Sequence, residues 1–114
     1  MPYIHVRTNQ TVSKEQAAAL KSAFGDAISL LPGKSEKWLM VDLEEGATLF
    51  LAGQGDLPLA MVEVELLGAA GAKDYERLTA KISDILQTKL DISPSGVYVK
   101  YAEVGTWGHN GANF

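Results

Sequence analysis

Three stretches of this chain alternate apolar and polar residues with a period of two. Ile4 and Val6 alternate with His5 and Arg7; Val62, Val64 and Leu66 alternate with Glu63 and Glu65; Val97, Val99 and Tyr101 alternate with Tyr98 and Lys100. Successive side chains of a strand point to opposite faces, so each stretch has one face for a core and one for water or polar partners. A parallel sheet covered on both sides would read as continuous apolar runs, and that architecture is excluded. The sheet must carry its helices on one face only. Its other face, with Asp42, Glu63 and Glu65 set against Arg7, Lys100 and His5, meets solvent or lines a wet channel between copies of the chain.

The segments between the strands repeat one plan. Pro2 to Thr8 is a strand, and Asn9 to Val12 a polar break. Ser13 reads as a helix N-cap with Gln16 as its capping-box partner. Leu20, Phe24, Ala27, Ile28 and Leu31 then follow at helical spacing until Pro32-Gly33 stops the helix. Trp38 to Leu43 reads as the second strand. Glu44 to Asp56 holds a short apolar patch, Leu49-Phe50-Leu51, that fits a hairpin strand or a tucked loop. The plan then recurs: strand Leu59–Leu67, a Gly- and Ala-rich link, helix Asp74–Leu90 with Leu78, Ile82, Ile85 and Leu86 on one face, a turn at Ser93–Gly96, and strand Val97–Glu103. Each unit is a βαβ crossover whose two strands should run parallel with a right-handed connection. The expected fold is an α+β single domain over 1–114: repeat one at about 2–43, repeat two at about 58–103, and a tail at 104–114. Trp107 and Phe114 make that tail too aromatic to be free, and it is expected to dock.

Composition removes several functions. Lys plus Arg number 10 against 14 Asp plus Glu, a net charge of -4, with no basic cluster to attract nucleic acid. Cysteine is absent, which removes disulfides, thiolate metal sites and thiol catalysis. The first residues lack the basic region and apolar run of a signal peptide, and no apolar run approaches the ~20 residues of a membrane span. A cytoplasmic location is expected, with leaderless secretion left open. Pro2 stands out instead. It follows Met1, and proline is small enough for Met1 to be excised before it. The product would be a rigid secondary amine at the head of a strand. An α-amino group titrates at about 7.7–8.0, and burial or a nearby cation lowers that value, which suits a general base near neutrality.

Further residues along the chain carry a family resemblance. Pro2-Tyr3-Ile4-His5-Val6-Arg7-Thr8-Asn9 resembles the start of the macrophage migration inhibitory factor family of the tautomerase superfamily. Gly33-Lys34, Met40-Val41, Leu67-Gly68 and Ser93-Pro94 before Val97-Tyr98-Val99 match in order, and Trp107-Gly108-His109-Asn110-Gly111-Ala112-Asn113-Phe114 resembles the family's Trp-Gly-x-Asn-Gly-x-x-Phe ending. The resemblance implies a four-stranded mixed sheet and a homotrimer with a central channel and active sites between subunits. It also implies keto–enol tautomerisation of phenylpyruvate-like 2-keto acids, with no cofactor or metal. By the same resemblance Pro2 is the base, Lys34 binds the substrate carboxylate, Leu67 contributes its backbone amide and Tyr98 comes from a neighbouring subunit. Tyr3, Trp38, Trp107 and Phe114 would line an aromatic pocket.

Some positions depart from the family. Lys100 stands where the mammalian cytokine has asparagine; it either adds a second cation to the substrate site or pairs with Glu63 or Glu65. Leu59-Ala60-Met61-Val62 replaces that protein's Cys-x-x-Cys, and the loop between Tyr101 and Trp107 is shorter. Two other functions share the scaffold. One is hydration or decarboxylation of small unsaturated or keto acids, for which Glu63, Glu65 and Arg7 are the available polar groups. The other is a cytokine-like signalling or binding role with a vestigial pocket.

Overall fold

The computed structural model describes residues 1–114. A four-stranded mixed sheet is built from β1 (Pro2–Thr8), β2 (Met40–Glu44), β3 (Ala60–Leu67) and β4 (Val97–Val104), in the order β2-β1-β3-β4. β1 runs parallel to β2 and β3 parallel to β4, as two βαβ units require. The two units join through an antiparallel β1–β3 pairing at the centre, with Pro2 opposite Leu66 and Val6 opposite Val62. Helices α1 (Lys14–Ala27) and α2 (Ala72–Leu90) pack against one another on the same face of the sheet. No helix is long and apolar enough to cross a membrane.

The period-two pattern decides which face the helices cover. Ile4, Val6, Val62, Val64 and Leu66 are buried beneath them, with Leu20, Phe24, Ile28 and Leu31 from the first unit and Leu78, Ile82, Leu86 and Ile92 from the second. Thr8 is the one buried polar residue, and its hydroxyl donates to the Leu59 carbonyl at 2.7 Å, which removes the cost of burying it.

Helix α1 begins as its sequence predicts. The Ser13 hydroxyl accepts from the Gln16 amide at 3.0 Å, and the Gln16 side chain accepts from the Ser13 amide at 2.9 Å. Its last turn tightens into a 3₁₀ turn over Ile28–Leu30, and Gly33 takes φ +79°, a left-handed value that lets the chain reverse there. Helix α2 starts earlier than the expected Asp74, at Ala72. The Asp74 carboxylate reaches back to the Gly71 amide at 3.3 Å and so extends the first turn.

Strand β2 differs from expectation. Trp38 and Leu39 do not extend it; Glu36–Trp38 forms a 3₁₀ turn, closed by the Leu39 amide bonding the Glu36 carbonyl at 3.1 Å. The Glu36 side chain occupies the space beside Gly25 of α1 where a Cβ would otherwise sit. That close approach sets the turn against the helix, and Trp38 at its end stays exposed. The Leu49-Phe50-Leu51 patch is a loop rather than a strand. It turns back tightly at Ala52-Gly53, where Leu51 and Gln54 exchange backbone hydrogen bonds of 2.9 and 3.0 Å.

Phe24 is fully buried between the helices and the sheet. Phe24→Ala is expected to lower unfolding free energy by about 3–5 kcal/mol, read as a lower urea midpoint at unchanged slope.

Candidate active site

Proline lacks an N–H, so within a sheet it suits the first residue of a strand, and Pro2 holds that place in β1. Its ring is buried opposite Leu66. The next residue of β3, Leu67, donates its amide to the Met1 carbonyl at 2.9 Å. The Leu67 carbonyl in turn accepts from Lys34 Nζ at 2.7 Å. Lys34 reaches it from the turn after α1, where its own amide bonds the Leu31 carbonyl at 3.0 Å. Pro2, Leu67 and Lys34, expected together from widely separated positions, are therefore neighbours.

The amine at this place is electrostatically unusual. The Met1 amino group is held below its ordinary value, first by burial and then by the positive charge and hydrogen bonding of Lys34. Both effects disfavour the protonated form. The Met1–Pro2 peptide bond opens into a cleft of ≈ 410 Å³ walled by Tyr3, Trp38, Met40, Glu65, Trp107 and His109, with Lys37 at the same rim.

Three of the expected aromatic residues, Tyr3, Trp38 and Trp107, line this cleft, and Phe114 packs against it through Trp38 and His109. The Tyr3 ring lines the cleft, but its hydroxyl is committed to Asp42 at 2.6 Å. That hydrogen bond, with burial and the charge of Asp42, raises the Tyr3 pKa to about 12. Trp38 is 42% exposed and meets His109 edge-to-face at 5.5 Å between ring centroids. Phe114 lies 6.4 Å from Trp38 and stacks on His109 at 6.3 Å. The tail docks through this cluster. Its strands β5 (Gly108–His109) and β6 (Ala112–Asn113) form a hairpin over Asn110-Gly111, both with positive φ, and the Phe114 amide closes onto the Trp107 carbonyl at 2.9 Å.

Tyr98 and Lys100 do not join this group within one chain. Tyr98 pairs with Met61 near the start of β3, whereas Pro2 pairs with Leu66 near its end. At ~3.3 Å per residue those positions are roughly 17 Å apart. Tyr98 is 60% exposed and borders a separate apolar cavity of ≈ 210 Å³ with Leu49, Phe50, Leu51 and Leu59. Lys100 takes the second of its two expected roles inside the protomer, an ion pair with Glu63 at 3.3 Å. That contact holds the Glu63 carboxyl below its ordinary range.

Among the polar cleft residues, Lys37 and His109 were not expected there, and Glu65 was expected only for hydration or decarboxylation. Lys37 has no motif of its own; the 3₁₀ turn sets its ammonium 5.2 Å over the Trp38 ring. His109 occupies the free position of the tail motif, and the Asn110-Gly111 turn signal was the available clue that it would face Phe114. Glu65 shares the polar face of β3 with Glu63 but sits next to the strand's Pro2 end.

The family model for Macrophage migration inhibitory factor (MIF) matches residues 1–114 of this chain. Among curated proteins, the D-dopachrome decarboxylase of Gallus gallus is 24% identical over 108 residues, covering 94% of this chain and 90% of the relative. Among solved structures, Leishmania major MIF2 superposes with a TM-score of 0.93 at 24% identity, covering 100% of this chain and 97% of that one. Pt0534, solved after inactivation by 2-oxo-3-pentynoate, gives a TM-score of 0.79 at 23% identity, covering 90% of this chain and 85% of its own.

The tail rests on Trp38, and aromatic pairs of this kind contribute about 0.5–1.5 kcal/mol. Trp38→Ala is expected to speed hydrogen exchange of the Phe114 amide up to about tenfold, with the amides of the β1–β3 pairing unchanged.

Proposed function

The chain belongs to the macrophage migration inhibitory factor family, and on that premise we propose that it is a keto–enol tautomerase of phenylpyruvate-like 2-keto acids, with Pro2 as its base. The supporting observation is that Met1 and Pro2 line an aromatic cleft, and that burial and Lys34 hold the Met1 amino group, one residue from the Pro2 nitrogen, below its ordinary pKa. While Met1 is attached, that nitrogen is an amide whose lone pair is delocalised, and it cannot accept a proton. The Met1 carbonyl also takes the Leu67 amide. Excision of Met1 would produce the basic nitrogen and release the Leu67 N–H in one step.

In the proposed reaction the substrate carboxylate binds Lys34 and the aryl ring lies among Tyr3, Trp38, Trp107 and Phe114. Neutral Pro2 removes a proton from the carbon next to the keto group. The electrons of that C–H bond form the C=C bond as the carbonyl oxygen becomes an enolate. The Leu67 N–H, or Tyr98 from a neighbouring protomer, stabilises the oxygen; one such donor contributes roughly 3 kcal/mol. Pro2 then returns the proton to oxygen, and reversal gives ketonisation. No cofactor enters the scheme. Tyr98 lies at the far end of the sheet from Pro2, so a role for Tyr98 requires a neighbouring protomer, and we propose the homotrimer.

A second reading, hydration or decarboxylation of a small unsaturated or keto acid, is favoured by one observation: Glu65 lines the cleft beside Pro2. Its carboxylate would position a water or assist a proton transfer. Glu65→Gln separates the two, since tautomerisation by Pro2 should survive it and hydration should not.

Phenylpyruvate tautomerase assays test the main reading. Pro2→Gly is expected to lower kcat/KM by about 10²–10⁴, and equal rates would remove Pro2 from the mechanism. An Ala inserted between Met1 and Pro2 keeps the nitrogen acylated, and should abolish turnover in a protein that still folds. For the wild type with Met1 removed, kcat/KM should rise with pH through an amine pKa below the ordinary α-amino value. Lys34→Ala removes a cation that disfavours the protonated amine, so that limb should move to higher pH while KM rises.

A further inference from the structure

The polar face of the sheet contains a group that the tautomerase scheme does not use. His5 of β1 lies beside Asp42 and Glu44 of the parallel strand β2 and opposite Glu63 of the antiparallel strand β3. Its Nε2 is 2.6 Å from Glu44 Oε1 and its Nδ1 is 3.2 Å from Glu63 Oε1. The His5 side chain is only 15% exposed. One donor atom from each of His5, Asp42 and Glu44 lies within 4.8 Å of the other two.

A neutral imidazole carries one N–H and one bare lone pair. With a carboxylate oxygen at each nitrogen, one lone pair must face another acceptor. The carboxylates of Glu44 and Glu63 flank this imidazole, with Arg7 3.5 Å from Glu44 and Lys100 3.3 Å from Glu63. Asp42, level with His5 on the next strand, adds a third donor within reach of the same point.

We propose that His5 Nε2, Asp42 and Glu44 form a binding site for a divalent transition metal of the zinc type. One imidazole and two carboxylates are a borderline donor set, suited to Zn²⁺ and its neighbours over the all-oxygen preference of Ca²⁺ or Mg²⁺. Tetrahedral zinc holds ligand atoms roughly 3.3 Å apart, given bonds of about 2.0–2.2 Å. The three donors reach that spacing by side-chain rotation, since Glu44 is half exposed. The outer partners that metal ligands need are already in place. Glu63 lies 3.2 Å from His5 Nδ1, where it would accept from Nδ1–H once Nε2 binds the ion, and the Tyr3 hydroxyl donates to Asp42 at 2.6 Å. Water fills the remaining position from the open side of the face. The ion would tie β2 to β1; it meets the Pro2 cleft only through Tyr3, whose hydroxyl bonds Asp42, and this inference does not rest on the proposed tautomerase activity.

Calorimetric titration of tag-free, chelator-treated protein with ZnCl₂ tests it. One saturable equivalent per chain is expected, with Mg²⁺ failing to compete at equal concentration. His5→Gln and, as an independent variant, Glu44→Gln should abolish that binding, while His109→Gln should leave it intact. Glu63→Gln, which removes only the outer partner, should weaken it by about 10–100-fold. Circular dichroism on each variant establishes that it is folded. Absence of a saturable equivalent in the wild type, or its survival in folded His5→Gln, would overturn the site. Phenylpyruvate turnover measured with and without the chelator reports on Pro2 alone, so either proposal can fail without the other.

Discussion

The antiparallel pairing of β1 with β3 is the constraint on which everything else rests. It joins the two βαβ units, and its register sets Ile4 against Val64 and Val6 against Val62 on the buried face. The same register sets Tyr3 against Glu65 and His5 against Glu63 on the other. Because the side-chain period of a strand is two, a slip of one residue would turn the carboxylates into the core and the valines into water. Burying even one such charge unpaired costs far more than a typical stability margin. The apolar face thus holds the polar one in place, and the positions of Pro2, Leu67 and the His5 network follow from a packing preference unrelated to chemistry.

Much of this was legible in the sequence because the relevant patterns are local. Both helical stripes, the Ser13–Gln16 cap and the alternation of three strands depend on spacings of two to four residues, and they appear where those spacings put them. Trp38 shows the limit. Its apolar neighbours Leu39 and Met40 read as strand, but a contact between Glu36 and Gly25 of α1 turns the chain there. No window around Trp38 contains that contact. The His5 cluster is invisible for a stronger reason. Its members become neighbours only through the β1–β2 register, which brings His5 level with Asp42.

The site residues divide along the same line. Lys34 and Leu67 were named on family resemblance and Pro2 on its own chemistry as well; the fold bonds Lys34 to the Leu67 carbonyl and the Leu67 amide to the Met1 carbonyl, just before Pro2. Tyr98 was named on the same basis and stands at the opposite end of the sheet. Its hydroxyl and the Pro2 nitrogen belong to one site only if protomers join head to tail. Lys37 carries no signature in sequence, since it reaches the cleft through a turn set by Glu36 and Gly25, whereas for His109 only the adjacent Asn110-Gly111 turn signal hinted at its place.

The parallel strand pairs of the two βαβ units share one register offset. Tyr3 pairs with Met40 as Met61 pairs with Tyr98, so Pro2 corresponds to Ala60 and the cleft beside Pro2 to the apolar cavity beside Tyr98. A linked chain has a single amino terminus. The nitrogen that can become a free amine in the first unit is an ordinary peptide nitrogen in the second. Covalent linkage therefore makes the two ends of a nearly symmetric sheet chemically unequal: one can hold a base and the other can only supply contacts.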